Sequence, residues 1–168
     1  MVSAVLLAFP AAIEKRRGSD FSFHWGALAV IFTILSVDEI VGFHEYPIEL
    51  LRDSLGVGSL LYYAWVLPGI VVVGILGLAF LRFVLHLPKL TRNQVIISGA
   101  MFVFGAIGIE MLSGVQADQF GEETFAYSVI ITLEESLEMI GIAVFTLAVY
   151  THIAKSDDCL NVLIPAPR

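Results

Sequence analysis

The chain has 168 residues, of which 58% are hydrophobic and 15% charged, with a mean hydropathy of +0.87. A soluble domain of this length needs far more polar surface, so the composition points to a membrane protein. The formal charge of −7 comes with no basic run long enough to bind nucleic acid. The single cysteine, Cys159, excludes an internal disulfide and a cysteine-rich metal or iron–sulfur centre within one chain.

The first apolar stretch, Met1 to Ile13, is followed by Glu14-Lys15-Arg16-Arg17, whereas a signal peptide carries its charges before the apolar run. A dozen helical residues rise only about 18 Å, too little to cross the hydrocarbon core. Residues 1–17 are therefore expected to form a short interfacial helix lying on the membrane.

Four longer apolar stretches follow, predicted as spans over about 21–43, 60–85, 95–113 and 125–153, with a tail at 154–168. Short joints separate them, marked by Tyr46-Pro47, Gly56, Gly58, Pro88, Gly114 and Gly121. The reading is an all-α, integral membrane four-helix bundle, one membrane domain over 1–168. Pro68-Gly69 is expected to kink the second span. Gly99, Ala100, Gly105, Ala106 and Gly108 are expected to let the third approach its neighbours closely.

Orientation follows from the basic residues. Lys15, Arg16 and Arg17 precede the first span, Arg82, Lys89 and Arg92 surround the second joint, and Lys155 and Arg168 lie in the tail. The first joint has only Arg52 and the third has none. Both termini are thus expected in the cytoplasm, with Trp25, Tyr62, Tyr63, Trp65, Tyr127 and Tyr150 near helix ends as an aromatic belt.

Ionisable residues within a span are costly, and by default mark a site. Asp38 and Glu39 come late in the first span, which ends in His44-Glu45. Glu110 comes late in the third, and Glu134, Glu135 and Glu138 come early in the fourth. With alternating span directions, all these carboxylates converge on the half of the bilayer away from the cytoplasm. At about 100° per residue, Glu134, Glu135 and Glu138 share an arc with Tyr127 and Gly141. Glu39 and His44 diverge from the Asp38 face, so both reach a common site only if the helix ends before His44. No basic residue stands in that half. Either several carboxyls carry protons or metal ions sit between them. Oxygen-rich sites with one histidine suit iron, manganese or zinc.

The candidate metal ligands are thus Asp38, Glu39, His44, Glu45, Glu110, Glu134, Glu135 and Glu138, with Tyr62, Tyr63 and Tyr127 placed to hydrogen-bond nearby. His24, His86 and His152 stand at the opposite helix ends, where interfacial anchoring explains them better than haem ligation. Asp118, Glu122 and Glu123 read most simply as a solvated loop, or else as acids that collect cations at the mouth of the site.

The set of inward carboxylates resembles the carboxylate-bridged di-metal four-helix bundles, which implies two ions and metal-dependent oxidoreductase chemistry. Those proteins carry Glu-x-x-His pairs, whereas this chain has Glu135-x-x-Glu138. The strings Ser36-Val37-Asp38-Glu39, His44-Glu45 and Leu133-Glu134-Glu135-Ser136-Leu137-Glu138-Met139 also resemble those of uncharacterised bacterial four-helix membrane proteins. That resemblance implies a multi-pass protein of the bacterial inner membrane with one common acidic site.

Three functions compete. A divalent-metal site, of one ion or two, leads. Proton or cation translocation needs a path through inner halves that offer only Thr33, Ser98 and Thr146. A structural or accessory role calls for other membrane subunits, or further copies of this chain, beside the lipid bilayer. No nucleotide, haem or nucleic acid is expected.

Overall fold

The computed structural model describes residues 2–16 and 18–155; Arg17 and the tail from 156, with Cys159 and Arg168, lie outside the described residues. The elements in chain order are α1 (Val2–Arg16), α2 (Ser22–Val41), α3 (Ile48–Leu55), a 3₁₀ turn (Ser59–Leu61), α4 (Val66–His86), α5 (Lys89–Val103), a π-helical turn (Phe104–Ile109), α6 (Glu110–Phe120) and α7 (Phe125–Ala154). No strand occurs among the described residues. Four helical segments are long and apolar enough to cross a membrane: 22–41, 66–86, 89–120 and 125–154. The protein is an all-α membrane bundle of four such helices.

Local chemistry sets the helix ends. α2 stops at Gly42, whose left-handed backbone (φ 67°) returns its N–H to the Asp38 carbonyl. Pro88 forces extended backbone on Leu87 (ψ 148°) and separates α4 from α5. Thr124 caps α7, its hydroxyl accepting the Tyr127 N–H at 3.1 Å. Pro68 falls in the first turn of α4, where its missing N–H has no intrahelical partner to lose. The irregularity expected at Pro68-Gly69 lies instead in the third span, as the π-helical turn before Glu110.

α7 is the central helix, packed along α5, α6 and α1. Its closest approach to α5 is at Gly141, where an added Cβ would stand 3.0 Å from the Phe102 nitrogen and the Ser98 carbonyl oxygen. Gly105 has the same role nearer the acids, with the Glu134 carbonyl oxygen and Glu138 Cγ at 3.1 and 3.0 Å from a Cβ built there. Of the small residues expected to permit close packing, Gly105 does so; a Cβ at Gly99 would meet open space.

α1 does not lie flat across the end of the bundle. It runs along α2 and also contacts α7. The Ser3 hydroxyl bonds that of Thr146 at 2.7 Å, and Thr146 lies about 12 Å from the end of α7 at 1.5 Å per residue. Leu7 is fully buried among Trp25, Phe83, Phe145 and Val149. Leu7 thus ties α1 to the core, while Val5 of the same helix stays exposed. His24 stacks on Phe83, His152 on Trp25, and His86 lies against Phe21, with ring centroids 5.4, 5.1 and 4.5 Å apart. The three histidines thus belong to aromatic packing at the basic end of the bundle.

Candidate functional site

The opposite end holds the acids. α2 reaches it with its C-terminal turns, α6 and α7 with their N-terminal halves, and the 3₁₀ turn packs on α6 beside it. The 3₁₀ turn is seated on Gly114 of α6, where an added Cβ would be 3.2 Å from Tyr62 Cβ. It is fastened by Asp118, whose Oδ2 accepts the Ser59 N–H at 2.8 Å. This seating directs Tyr63 and Trp65 towards the acids.

Glu110 and Glu134 form the centre. Their carboxyls lie within reach of each other, close enough to share a proton if one of them is protonated. Trp65 Nε1 donates to Glu110 Oε1 at 2.9 Å. Ser113, fully buried, stands with its hydroxyl 3.5 Å from Glu134 Oε2. Glu134 is 8% exposed, the only acid to be buried among those described. Glu138, one turn further along α7, is half-buried and lies within the field of Glu110, Glu39 and His44.

A second group sits at the end of α2. Because the helix terminates at Gly42, the chain turns back and His44 returns to Asp38. Its N–H reaches Asp38 Oδ1 at 3.1 Å and its Nδ1 pairs with Oδ2 at 2.7 Å. The His44 ring lies 4.9 Å from the Trp65 ring. The carboxylate fixes the imidazole orientation and leaves Nε2 on the other edge of the ring.

A third group links the loop surface to α7. The Tyr63 hydroxyl donates to Glu122 Oε1 at 2.9 Å and bonds the Tyr127 hydroxyl at 2.7 Å. Burial, reinforced by these two hydrogen bonds, pushes the Tyr63 phenol well above its ordinary range. Beside it opens a cavity of about 280 Å³, lined by Tyr63, Glu122, Glu45, Glu49 and Arg52 among others.

The expected residues therefore divide. Glu110 and Glu134 meet, with Glu138 near them, and Asp38 and His44 form a separate pair. Glu39 and Glu135 are exposed on α2 and α7, and Glu45 stands exposed at the cavity. Tyr62 lies beneath the Arg52 guanidinium, 4.5 Å from its ring centroid, rather than against the acids. Among the described residues, no three histidine, cysteine or acidic side chains are grouped closely enough to hold a metal ion. Trp65 and Ser113 were not singled out by the sequence as partners of the site, and Glu122 only as an acid at its mouth. Indole, hydroxyl and loop carboxylate at these positions carry no spacing signal, and only the seating of the 3₁₀ turn brings them in.

A family model matches residues 1–153, from α1 almost to the end of α7. The chain belongs to the DUF8692 family, described as a domain of unknown function. No curated protein and no solved structure matches it. The match to DUF8692 spans α1, the acid end and the central helix alike, so the three groups above belong to one family domain.

Proposed function

We propose that this DUF8692 protein takes up and releases protons at the Glu110–Glu134 carboxyl pair, from the side of the membrane faced by its α3 loop. The observation that supports this reading is the close approach of the two carboxyls, with Glu134 buried and Glu110 half-buried, an environment that favours a proton over two charges. The placement of Lys15, Lys89 and Arg92 at the other end supports a cytoplasmic position for that end, and the acid end then faces outward. The plasma membrane of a bacterium, as the sequence resemblance implies, is the setting we propose. Difference infrared spectroscopy of the reconstituted protein tests the site. Raising the pH is expected to convert a protonated-carboxyl band to carboxylate in wild type, and Glu134→Gln is expected to remove that band. A wild-type spectrum with no titrating buried carboxyl overturns the reading.

One observation favours a second reading, a divalent metal site of iron, manganese or zinc. The Asp38-oriented His44 is the form in which metal-binding imidazoles are held, and Glu110 and Glu138 both lie within its field. An ion there requires the side chains to draw together. Stoichiometric metal in purified wild type, lost in His44→Ala, supports this reading, and a redox-active ion would bring oxidoreductase chemistry with it.

A further inference from the structure

We infer that Tyr63 and Tyr127 form the route by which protons reach the carboxyl pair, entering from the cavity beside Glu122. This rests on the proton-binding reading above and goes beyond it by naming the path of entry. Glu134 is buried, and Glu110 is half-buried with its Oε1 engaged by the Trp65 indole N–H. The cavity of about 280 Å³ has Tyr63 and Glu122 in its lining. From there two short hydrogen bonds, 2.9 and 2.7 Å, run inward to Tyr127.

Tyr127 lies on the same face of α7 as Glu134, two helical turns before it, and within the field of both Glu134 and Glu110. The segment between is bordered by α6, where the Ser113 hydroxyl faces Glu134. The proposed route requires water to bridge the last interval, from the Tyr127 hydroxyl to Glu134.

A phenol can pass a proton without ionising, because its oxygen accepts one proton as its own hydroxyl hydrogen departs. In the arrangement seen, Tyr63 donates to Glu122. A proton delivered to Glu122 enters by reversal of both hydroxyls. Glu122 gives its proton to the Tyr63 oxygen, and Tyr63 gives its own to the Tyr127 oxygen. Tyr127 gives its own, through water, to the carboxyl pair. Each phenol ends with the number of protons it began with, and the two hydroxyls rotate back for the next transfer. The other ionisable groups at the mouth, Glu45, Glu49 and Arg52, line the cavity without a hydrogen bond to either tyrosine.

The test is the rate of hydrogen–deuterium exchange of the Glu134 carboxyl band after transfer of lipid-reconstituted protein into deuterated buffer. Tyr63→Phe and Tyr127→Phe keep the rings and remove the hydroxyls. Each is expected to slow exchange at least about tenfold with the band's amplitude unchanged, as is Glu122→Gln. Tyr150→Phe, at the far end of α7, is expected to exchange as wild type does. Wild-type rates in both Tyr63→Phe and Tyr127→Phe overturn the route and leave the site standing. Slowing of Tyr150→Phe to the same degree also overturns it, because the effect would then be general loosening. Absence of an exchanging carboxyl in wild type removes site and route together.

Discussion

At the scale of single residues, the acid end separates side chains that look equivalent on a helical wheel. Glu134 and Glu135 are neighbours in sequence, yet one is buried against Ser113 and Glu110 while the other is exposed. Tyr62 and Tyr63 divide in the same way, one beneath Arg52 and the other bonded to Tyr127 and Glu122. Tyr63 yields a pH prediction. Its phenol is held above its ordinary value near 10 in the folded protein, first by burial and then by its two hydrogen bonds. A raised folded value means that the stability it contributes is complete below about pH 10 and is lost as the pH climbs beyond, where the unfolded chain releases its proton and the folded one retains it. Detergent-solubilised wild type should therefore lose more thermal stability than Tyr63→Phe between neutral and strongly alkaline pH. The other tyrosines are common to both proteins, so the difference in the two slopes of Tm against pH isolates Tyr63. Equal slopes would show that this phenol titrates as an ordinary one.

At the scale of elements, the third span is two α-helices joined by a π-helical turn, with Glu110 as the first residue beyond it. Such turns absorb an extra residue while the helix on either side keeps its face. Deleting Ile107, inside the turn, is expected to close it into regular helix and leave Glu110 and Ser113 facing α7. Deleting Leu112, beyond it, turns Ser113, Gly114 and Ala117 by about 100°, away from the 3₁₀ turn and Glu134. The first variant should purify with a Tm near that of wild type, and the second should not; equal loss in both would mean that the π-helical turn does not separate the two faces.

The spans and the convergence of acids on one end were legible in the sequence, because length, hydropathy and alternating direction determine both. The pairing of His44 with Asp38 was not legible; the helical wheel offered only the condition that α2 unwind or end before His44 for Glu39 and His44 to share a site, and α2 does end at Gly42 while Glu39 stays exposed. The attitude of α1 was not legible. A short apolar helix followed by charges looks the same whether it lies on a surface or fills a core, and the deciding contacts, Ser3 with Thr146 and Leu7 with Trp25, join distant segments of the chain. The π-helical turn was hidden as well, since Gly105 and Gly108 within it carry no spacing signal for such a turn, and the close approach of Gly105 to α7 joins distant segments.

At the scale of the whole molecule, the two ends differ in kind. One is an aromatic and aliphatic core built around Leu7, Trp25 and Phe83, with basic residues outside it. The other is less filled, carries the acids and opens into the cavity. The proposed orientation predicts which end each aqueous compartment meets. In intact cells carrying a Cys159→Ser background, Ser54→Cys in α3 is expected to react with a membrane-impermeant maleimide. Asn93→Cys is expected to react only after permeabilisation. The reverse pattern would place the acid end in the cytoplasm.

The length of α7 joins the acids to a property of the surrounding lipid. Its 30 residues amount to about 45 Å at 1.5 Å per residue, against a hydrocarbon layer of about 30 Å. The excess is taken up by tilt or stands clear of the acyl chains. Glu134 lies about 14 Å from the start of this helix, so it meets the edge of the acyl layer when the whole excess stands clear at that end. Short acyl chains leave it among the headgroups, and long ones draw it into oil. Hydrophobic mismatch is therefore built into the same helix as the site, and bilayer thickness becomes an input to the chemistry at Glu134.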